Sequence, residues 1–116
     1  MYEKSFKKTY DPQDRLYEAQ RVKIKYPDRV PVIVEAKSDV PPLDKKKYLV
    51  PRDLTVGQFL YTLRKRIKLT SEKALFLFFN EQVLSPSSES IGSVYESNKD
   101  SDEFLYATLC SENTFG

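Results

Sequence analysis

The 116-residue chain is 40% hydrophobic and 31% charged, with only three glycines, a composition that suits one globular domain and excludes a disordered or fibrous chain. Having no histidine and one cysteine, it cannot build a Ser/His/Asp triad, a Cys/His dyad, an internal disulfide or a zinc site of the usual ligands. The net charge of +2 hides an asymmetry: residues 1–80 carry 18 Lys and Arg against 10 Asp and Glu, and residues 81–116 carry one against seven.

The basic part is suited to acidic peptides, nucleic acid or anionic lipid. The longest apolar run, Ala74 to Phe79, falls far short of the roughly 20 residues of a membrane-spanning helix. Met1-Tyr2-Glu3-Lys4 opens no secretory signal. With the lone Cys110 read as a small hydrophobe in a strand, these features predict a cytoplasmic protein in a reducing compartment.

In chain order, Asp11 followed by Pro12 and Asp14 marks a helix start, since Pro is preorganised for the first helical turn and acids suit the positive end of the dipole. That helix runs to about Lys25, where Tyr26-Pro27-Asp28 breaks it. Val30 to Val34 is β-branched and reads as a strand, with Pro31 pointing to an edge or to the strand's beginning. Lys37 to Lys46 is a loop leading into a second short strand, Lys47 to Val50, stopped by Pro51. Thr55-Val56-Gly57-Gln58 is a capping box, and Val56, Phe59, Leu60, Leu63 and Ile67 recur at helical spacing behind it. Leu75 to Phe79 is continuously apolar, the pattern of a central strand buried on both faces. Ser85 to Ser88 is a loop, Ile91 to Tyr95 a short helix, Phe104 to Leu109 a last strand and Ser111 to Gly116 a polar tail. This order predicts an α+β domain of β-grasp type, with the Leu75 and Leu105 strands central and the capped helix across one face.

Three glycines at 57, 92 and 116 cannot form a phosphate-cradling loop, which needs them closely spaced. Asp100, Asp102 and Glu103 lack calcium-loop spacing and read as a solvated acidic turn. No enzyme is expected, and no cofactor or metal. Two features remain. A tail ending in Gly116 presents a carboxylate unobstructed by a Cβ to a narrow enzyme channel. The short strand Lys47 to Val50, headed by lysines and ended by proline, is guarded against aggregation as edge strands are, yet offers an unpaired ladder. Alternation puts Leu49 on one side and Tyr48 with Val50 on the other, so an added strand would find a pocket on each side.

These residues resemble the autophagy ubiquitin-like modifiers, the family of GABARAP and its yeast counterpart. The matching runs are Lys25 to Ile33, Asp44 to Pro51, Asp53 to Phe59, Arg64 to Ile67, Phe104 to Tyr106 and Glu112 to Gly116, so the likeness covers most of the chain from about Arg15. The resemblance implies a ubiquitin-like β-grasp with two additional N-terminal helices: residues 1–26 as helical extension, 27–110 as core and 111–116 as flexible conjugation tail. It implies that a processing protease, an activating enzyme and a conjugating enzyme act on the tail, and that Gly116 is joined to phosphatidylethanolamine in the autophagosomal membrane. It further implies cargo receptors bearing a short aromatic-x-x-aliphatic motif. The aromatic would enter a pocket of Glu18, Val22, Pro31, Ile33, Lys47, Leu49 and Phe104. The aliphatic would enter one of Tyr48, Val50, Leu54, Phe59 and Leu63, with Arg29, Lys45 and Arg66 as polar partners.

Thr62 stands where the family has an aliphatic residue, which predicts a more polar second pocket, and Asp11-Pro12 replaces the Pro-Phe of relatives whose N-terminal helices meet microtubules. There are two rival readings. One is an unconjugated ubiquitin-like adaptor, which only the fate of Gly116 separates from the modifier. The other is a nucleic-acid-binding domain drawing on Lys65, Arg66 and Lys68, but a pI near 8.6 is below that of a strongly basic binder and the aromatics fall at core spacing.

Overall fold

The computed structural model describes residues 5–67, 73–81 and 83–111. Four helices, α1 (Phe6–Thr9), α2 (Pro12–Lys25), α3 (Val56–Ile67) and α4 (Ile91–Asn98), combine with five strands, β1 (Arg29–Ala36), β2 (Lys47–Pro51), β3 (Leu75–Phe79), β4 (Val83–Leu84) and β5 (Leu105–Ser111). The strands form one sheet in the order β2-β1-β5-β3-β4. Only β1 and β5 are parallel; the other pairs are antiparallel. This is the mixed sheet of a β-grasp, and the expected α+β class holds.

Alternation divides the core in two. Val30, Val32 and Val34 of β1 face α3 and α4, joining Tyr48, Val50, Phe59, Leu63, Val94 and Tyr95 in the main cluster. Ile33 faces the opposite side with Ala19 of α2 and Phe104, against which Phe6 and Tyr106 pack. The capping box forms as expected: the Thr55 N–H donates to Gln58 Oε1 at 2.9 Å and the Gln58 N–H to Thr55 Oγ1 at 3.1 Å. The N–H groups of Val56 and Gly57 donate to the carbonyls of Glu89 and Ser87. That approach is tight enough that a Cβ at residue 57 would lie 3.1 Å from the Ser87 Cβ.

Some expectations change. Pro31 is not on an edge, because β1 lies between β2 and β5. Val34 donates to Lys46 on the β2 side and Lys37 to Leu109 on the β5 side, so by alternation the Pro31 nitrogen faces β5, whose register opens only at Val32↔Leu105. No ladder bond is lost. β3 is not buried on both faces: Leu75, Leu77 and Phe79 are buried while Phe76 and Phe78 are partly open, because the α2 side of the sheet is covered over β1 and β5 only. β3 is also next to the last strand, not central, since β4 pairs with it at Phe78↔Leu84 and Phe79↔Val83. The turn between them uses Asn80 and Glu81 at φ 52° and 64°, left-handed positions without the glycine that would have marked a hairpin. β5 continues to Ser111, whose hydroxyl donates to Asp39 at 2.5 Å, and α4 continues to Asn98. Cys110 is buried in β5, as expected, and burial pushes its thiol pKa up.

The largest correction concerns the acidic turn, which is not solvated. Arg15 of α2 reaches Asp102 at 2.6 Å, with 10% and 3% of the two side chains exposed. Arg15 Nε also donates to the Tyr10 carbonyl at 3.1 Å. Asp102 accepts from the Phe104 N–H at 2.9 Å and the Tyr106 hydroxyl at 2.5 Å. Lys7 reaches Asp100 and Lys23 reaches Glu103, both at 2.8 Å. The turn is closed by the Asp100 N–H donating to the Phe104 carbonyl at 2.9 Å, with Glu103 at φ 68°. Both N-terminal helices are thus fastened to the start of β5.

Two outcomes follow for urea denaturation. Leu60 is only partly buried, whereas Leu63 is fully enclosed, so Leu63→Ala is expected to cost about 2–5 kcal/mol and Leu60→Ala clearly less. Asp102→Asn leaves a buried guanidinium without its counter-charge, and removing one member of a buried pair costs about 3–5 kcal/mol. The pH dependence has a definite sign. Burial alone would raise the Asp100 carboxyl, but the Lys7 ammonium and the Asp102 N–H bring it below its ordinary value. The hydrogen bond from Lys23 outweighs burial and lowers Glu103. Native values below the unfolded ones mean that the stabilisation from these two bridges is fully present above about pH 4.5 and is lost as pH falls through the lowered values. Amide exchange in α2 is expected to accelerate over that acid range before exchange in β1 and β5 does.

Candidate functional site

β2 ends the sheet, so one side of its backbone ladder has no strand partner among the described residues. Register with β1 sets Leu49 opposite Pro31 and Lys47 opposite Ile33, which turns Leu49 and Lys47 toward α2 and leaves Tyr48 and Val50 on the α3 side.

On the α2 side lie all seven residues assigned to the first pocket. Ile33 and Phe104 are fully buried and Val22 is 4% exposed, forming its base. Pro31 is buried too, and Glu18, Lys47 and Leu49 are half-buried at the rim. Lys47 Nζ meets Glu18 at 2.5 Å, and the same carboxylate accepts from Arg21 at 3.0 and 3.1 Å. The Arg21 bond lowers the Glu18 pKa most; burial opposes this and Lys47 reinforces it. The resulting bridge from α2 to β2 crosses the sheet surface.

On the α3 side the second set behaves differently. Val50, Phe59 and Leu63 are 3%, 2% and 0% exposed and Tyr48 is 8% exposed; they are members of the main core, with Leu54 partly buried beside them. Tyr48 and Phe59 meet edge to face with centroids 5.7 Å apart. This is a packed seam and not an open cavity. Lys45 lies 5.1 Å and Arg66 5.9 Å from the Tyr48 ring centre, while Arg66 also pairs with Asp44 at 3.1 Å. Arg29 stands apart, over Tyr26 at 5.8 Å and opposite Pro51. The Tyr48 hydroxyl is buried without a hydrogen-bond partner among the described residues, and burial raises its pKa. Thr62 donates its hydroxyl to the Gln58 carbonyl at 3.1 Å. The hydroxyl expected to make this side more polar is therefore engaged by the helix backbone.

A groove of about 630 Å³ between α1, α2 and the start of β2 was not apparent from the sequence. Its walls carry the rings of Phe6, Tyr10 and Tyr17, its α2 flank Asp14 and Glu18, and its β2 flank Lys46 and Lys47. The one available sign was Asp14, Tyr17 and Glu18 at spacings of three and four on α2, which share a helix face. Gly116 and the rest of the expected tail beyond Ser111 lie outside the described residues. No described helix is long and apolar enough to cross a membrane.

A family model described as autophagy protein Atg8, ubiquitin-like, matches residues 14–116. Autophagy-related protein 8e of Arabidopsis thaliana is 60% identical over 113 residues, covering 96% of this chain and 92% of that protein. Autophagy-related protein 8B of Oryza sativa subsp. japonica is 54% identical over 118 residues, covering 100% and 98%. Among solved structures, the crystal structure of Trypanosoma brucei ATG8 superimposes with a TM-score of 0.87 at 40% identity, covering 96% of this chain and 97% of that one.

The rim bridge can be tested directly. A carbon-detected NMR titration is expected to find Glu18 ionising below the ordinary glutamate value. Arg21→Ala should move it up more than Lys47→Ala does. An ordinary Glu18 value in the unaltered protein would mean the bridge does not persist in solution.

Proposed function

The chain belongs to the Atg8 family of ubiquitin-like autophagy proteins, and from that premise we propose that it is a modifier conjugated through Gly116 to phosphatidylethanolamine, recruiting cargo receptors along β2. The observation that carries the reading is the edge strand itself. Its ladder is open, and alternate side chains lead to two different faces, one based on Ile33 and Phe104 and the other on Tyr48 and Phe59. An extended peptide adds to such an edge by main-chain hydrogen bonds and is selected by alternate side chains. The first set centres on Lys47 and Leu49 and the second reaches beyond Val50 to Leu54, so an aromatic-x-x-aliphatic peptide runs parallel to β2. Because the second seam is closed, the aliphatic side chain must part Tyr48 from Leu54 and Leu63 on entering. Most of the burial gain is offset by that opening and by ordering the peptide, and micromolar affinity is the expectation.

No residue of the chain serves as nucleophile or general base in this reading. The activating enzyme adenylates the Gly116 carboxylate, cysteines of that enzyme and of the conjugating enzyme carry it as a thioester, and the lipid amine displaces the thiol. A processing protease exposes the glycine where residues follow it. The domain resides in the cytoplasm until the acquired lipid holds it on the autophagosomal membrane.

In a reconstituted mixture of the two enzymes, ATP and phosphatidylethanolamine liposomes, the protein is expected to gain the mass of one phospholipid and to float with the liposomes. Deletion of Gly116 should abolish the product with the domain still folded. A protein that stays unmodified, or a deletion variant lipidated as well as the parent, would leave an unconjugated adaptor as the reading. In calorimetry, Leu49→Ala is expected to weaken the peptide about tenfold or more and Cys110→Ser to leave it unchanged.

A further inference from the structure

Resting on the edge-strand reading, we infer that the groove beside α1 and α2 is a third subsite, which takes an arginine side chain two residues before the aromatic anchor of the bound peptide. The direction of the peptide fixes the position. A strand parallel to β2 with its aromatic in the first pocket places its upstream residues beyond Lys47, toward Lys46. Alternation returns the residue two before the aromatic to the α2 side, about 7 Å farther along. That step crosses the Glu18–Lys47 bridge, and the groove opens on its other side, with Glu18 and Lys47 lining both spaces.

The charges of the groove then select the side chain. Lys47 is neutralised by Glu18, which also holds Arg21, and Lys46 lies 3.8 Å from the Glu35 carboxylate. Asp14 differs. Its backbone N–H donates to Asp11 Oδ1 at 3.0 Å, but its own carboxylate has no hydrogen-bond or ion-pair partner among the described residues. Tyr17, three residues on and thus on the same helix face, is 69% exposed, and Tyr10 is 50% exposed. Phe6 is held edge-on against Phe104 at 5.2 Å, which fixes the apolar end. An unpaired carboxylate beside open aromatic faces fits a guanidinium, whose stem covers apolar wall while its planar head stacks on a ring and forks to the acid. An acidic side chain here would meet Asp14 and find the lysines already engaged. The intervening residue, one before the aromatic, faces the α3 side, where Lys45 is exposed; an acid belongs there.

The test is calorimetry on the full chain with four peptides that differ only two residues before the aromatic, carrying Ala, Arg, Glu or Leu. The Arg peptide is expected to bind about three- to tenfold tighter than the Ala peptide, with Glu no better than Ala. Asp14→Asn and Tyr17→Ala should each remove most of the Arg advantage and leave the Ala peptide unchanged. A Leu peptide as tight as the Arg peptide, or an Arg advantage surviving both substitutions, overturns this inference and leaves the edge-strand reading standing. An Ala peptide that fails to bind, or binds Leu49→Ala as well as the parent protein, overturns both.

Discussion

Burying a guanidinium with a carboxylate costs several kcal/mol of desolvation unless further hydrogen bonds offset it, and Arg15 and Asp102 both have such bonds. Asp102 accepts from Arg15, the Phe104 N–H and the Tyr106 hydroxyl, and Arg15 has the Tyr10 carbonyl for a second acceptor. Burial, with the hydrogen bond to Asp102 adding to it, raises the Tyr106 phenol far above its ordinary value, so its hydroxyl stays a donor to Asp102 at physiological pH. It joins residues 87 apart in sequence, and everything on the α2 side of the sheet depends on it. Phe104, which adjoins the turn, is the base of the first pocket. Phe6, which the same docking holds in place, packs on Phe104 and forms the end wall of the adjoining groove.

The other face of the sheet is built independently. Its cluster is aliphatic and aromatic, contains no ion pair among the described residues, and is fixed by the α3 capping box and by the carbonyls of Ser87 and Glu89 that close the first turn of α3. The two proposed peptide pockets therefore have different mechanical characters. One is an open shelf whose walls are two helices held by charges, and the other is a seam in the main core. Loss of the α1–α2 docking would remove the shelf and leave the seam. Loosening of α3 acts in the opposite sense. A peptide bound as proposed would bridge both, and its binding would report on the two halves of the domain at once.

How much of this could be read from the sequence depended on how local each signal was. The capping box at Thr55 and Gln58 and the Asp11-Pro12 start of α2 are complete within a few residues, and both stand as expected. The alternation of Tyr48, Leu49 and Val50 likewise assigned their faces without knowledge of the partner strand. What was missed had no local signature. β4 is two residues long, below the length at which periodicity can be recognised, and α1, four residues long, was expected from the family resemblance alone. The Asp100 to Glu103 turn looks solvated when read alone, because its cations come from Lys7, Arg15 and Lys23 at the far end of the chain. Leu60 and Leu63 share an apolar stripe, and only the position of the sheet shows that Leu63 faces its centre. The aromatic groove was invisible for the same reason, since its two flanks come from the helices and from the start of β2.

The segregation of charge along the chain takes on another meaning in the fold. Of the acids in residues 81–116, Asp100, Asp102 and Glu103 pair with bases of the N-terminal helices, and Glu96 pairs with Arg52 and Lys99. Part of the acidic segment and part of the basic one thus neutralise each other across the fold. Basic side chains remain concentrated at the entry to β2 and on the adjoining end of α3, where Lys45 and Arg66 flank Tyr48. A short basic border around an apolar edge lacks the extended stripe that tracks a phosphate backbone. Its length suits the few residues of the acid-flanked peptide proposed above. The Asp14 carboxylate, without a hydrogen-bond or ion-pair partner among the described residues, interrupts that border, so that on the proposed reading the register of an incoming strand would depend on its sequence upstream of the aromatic anchor.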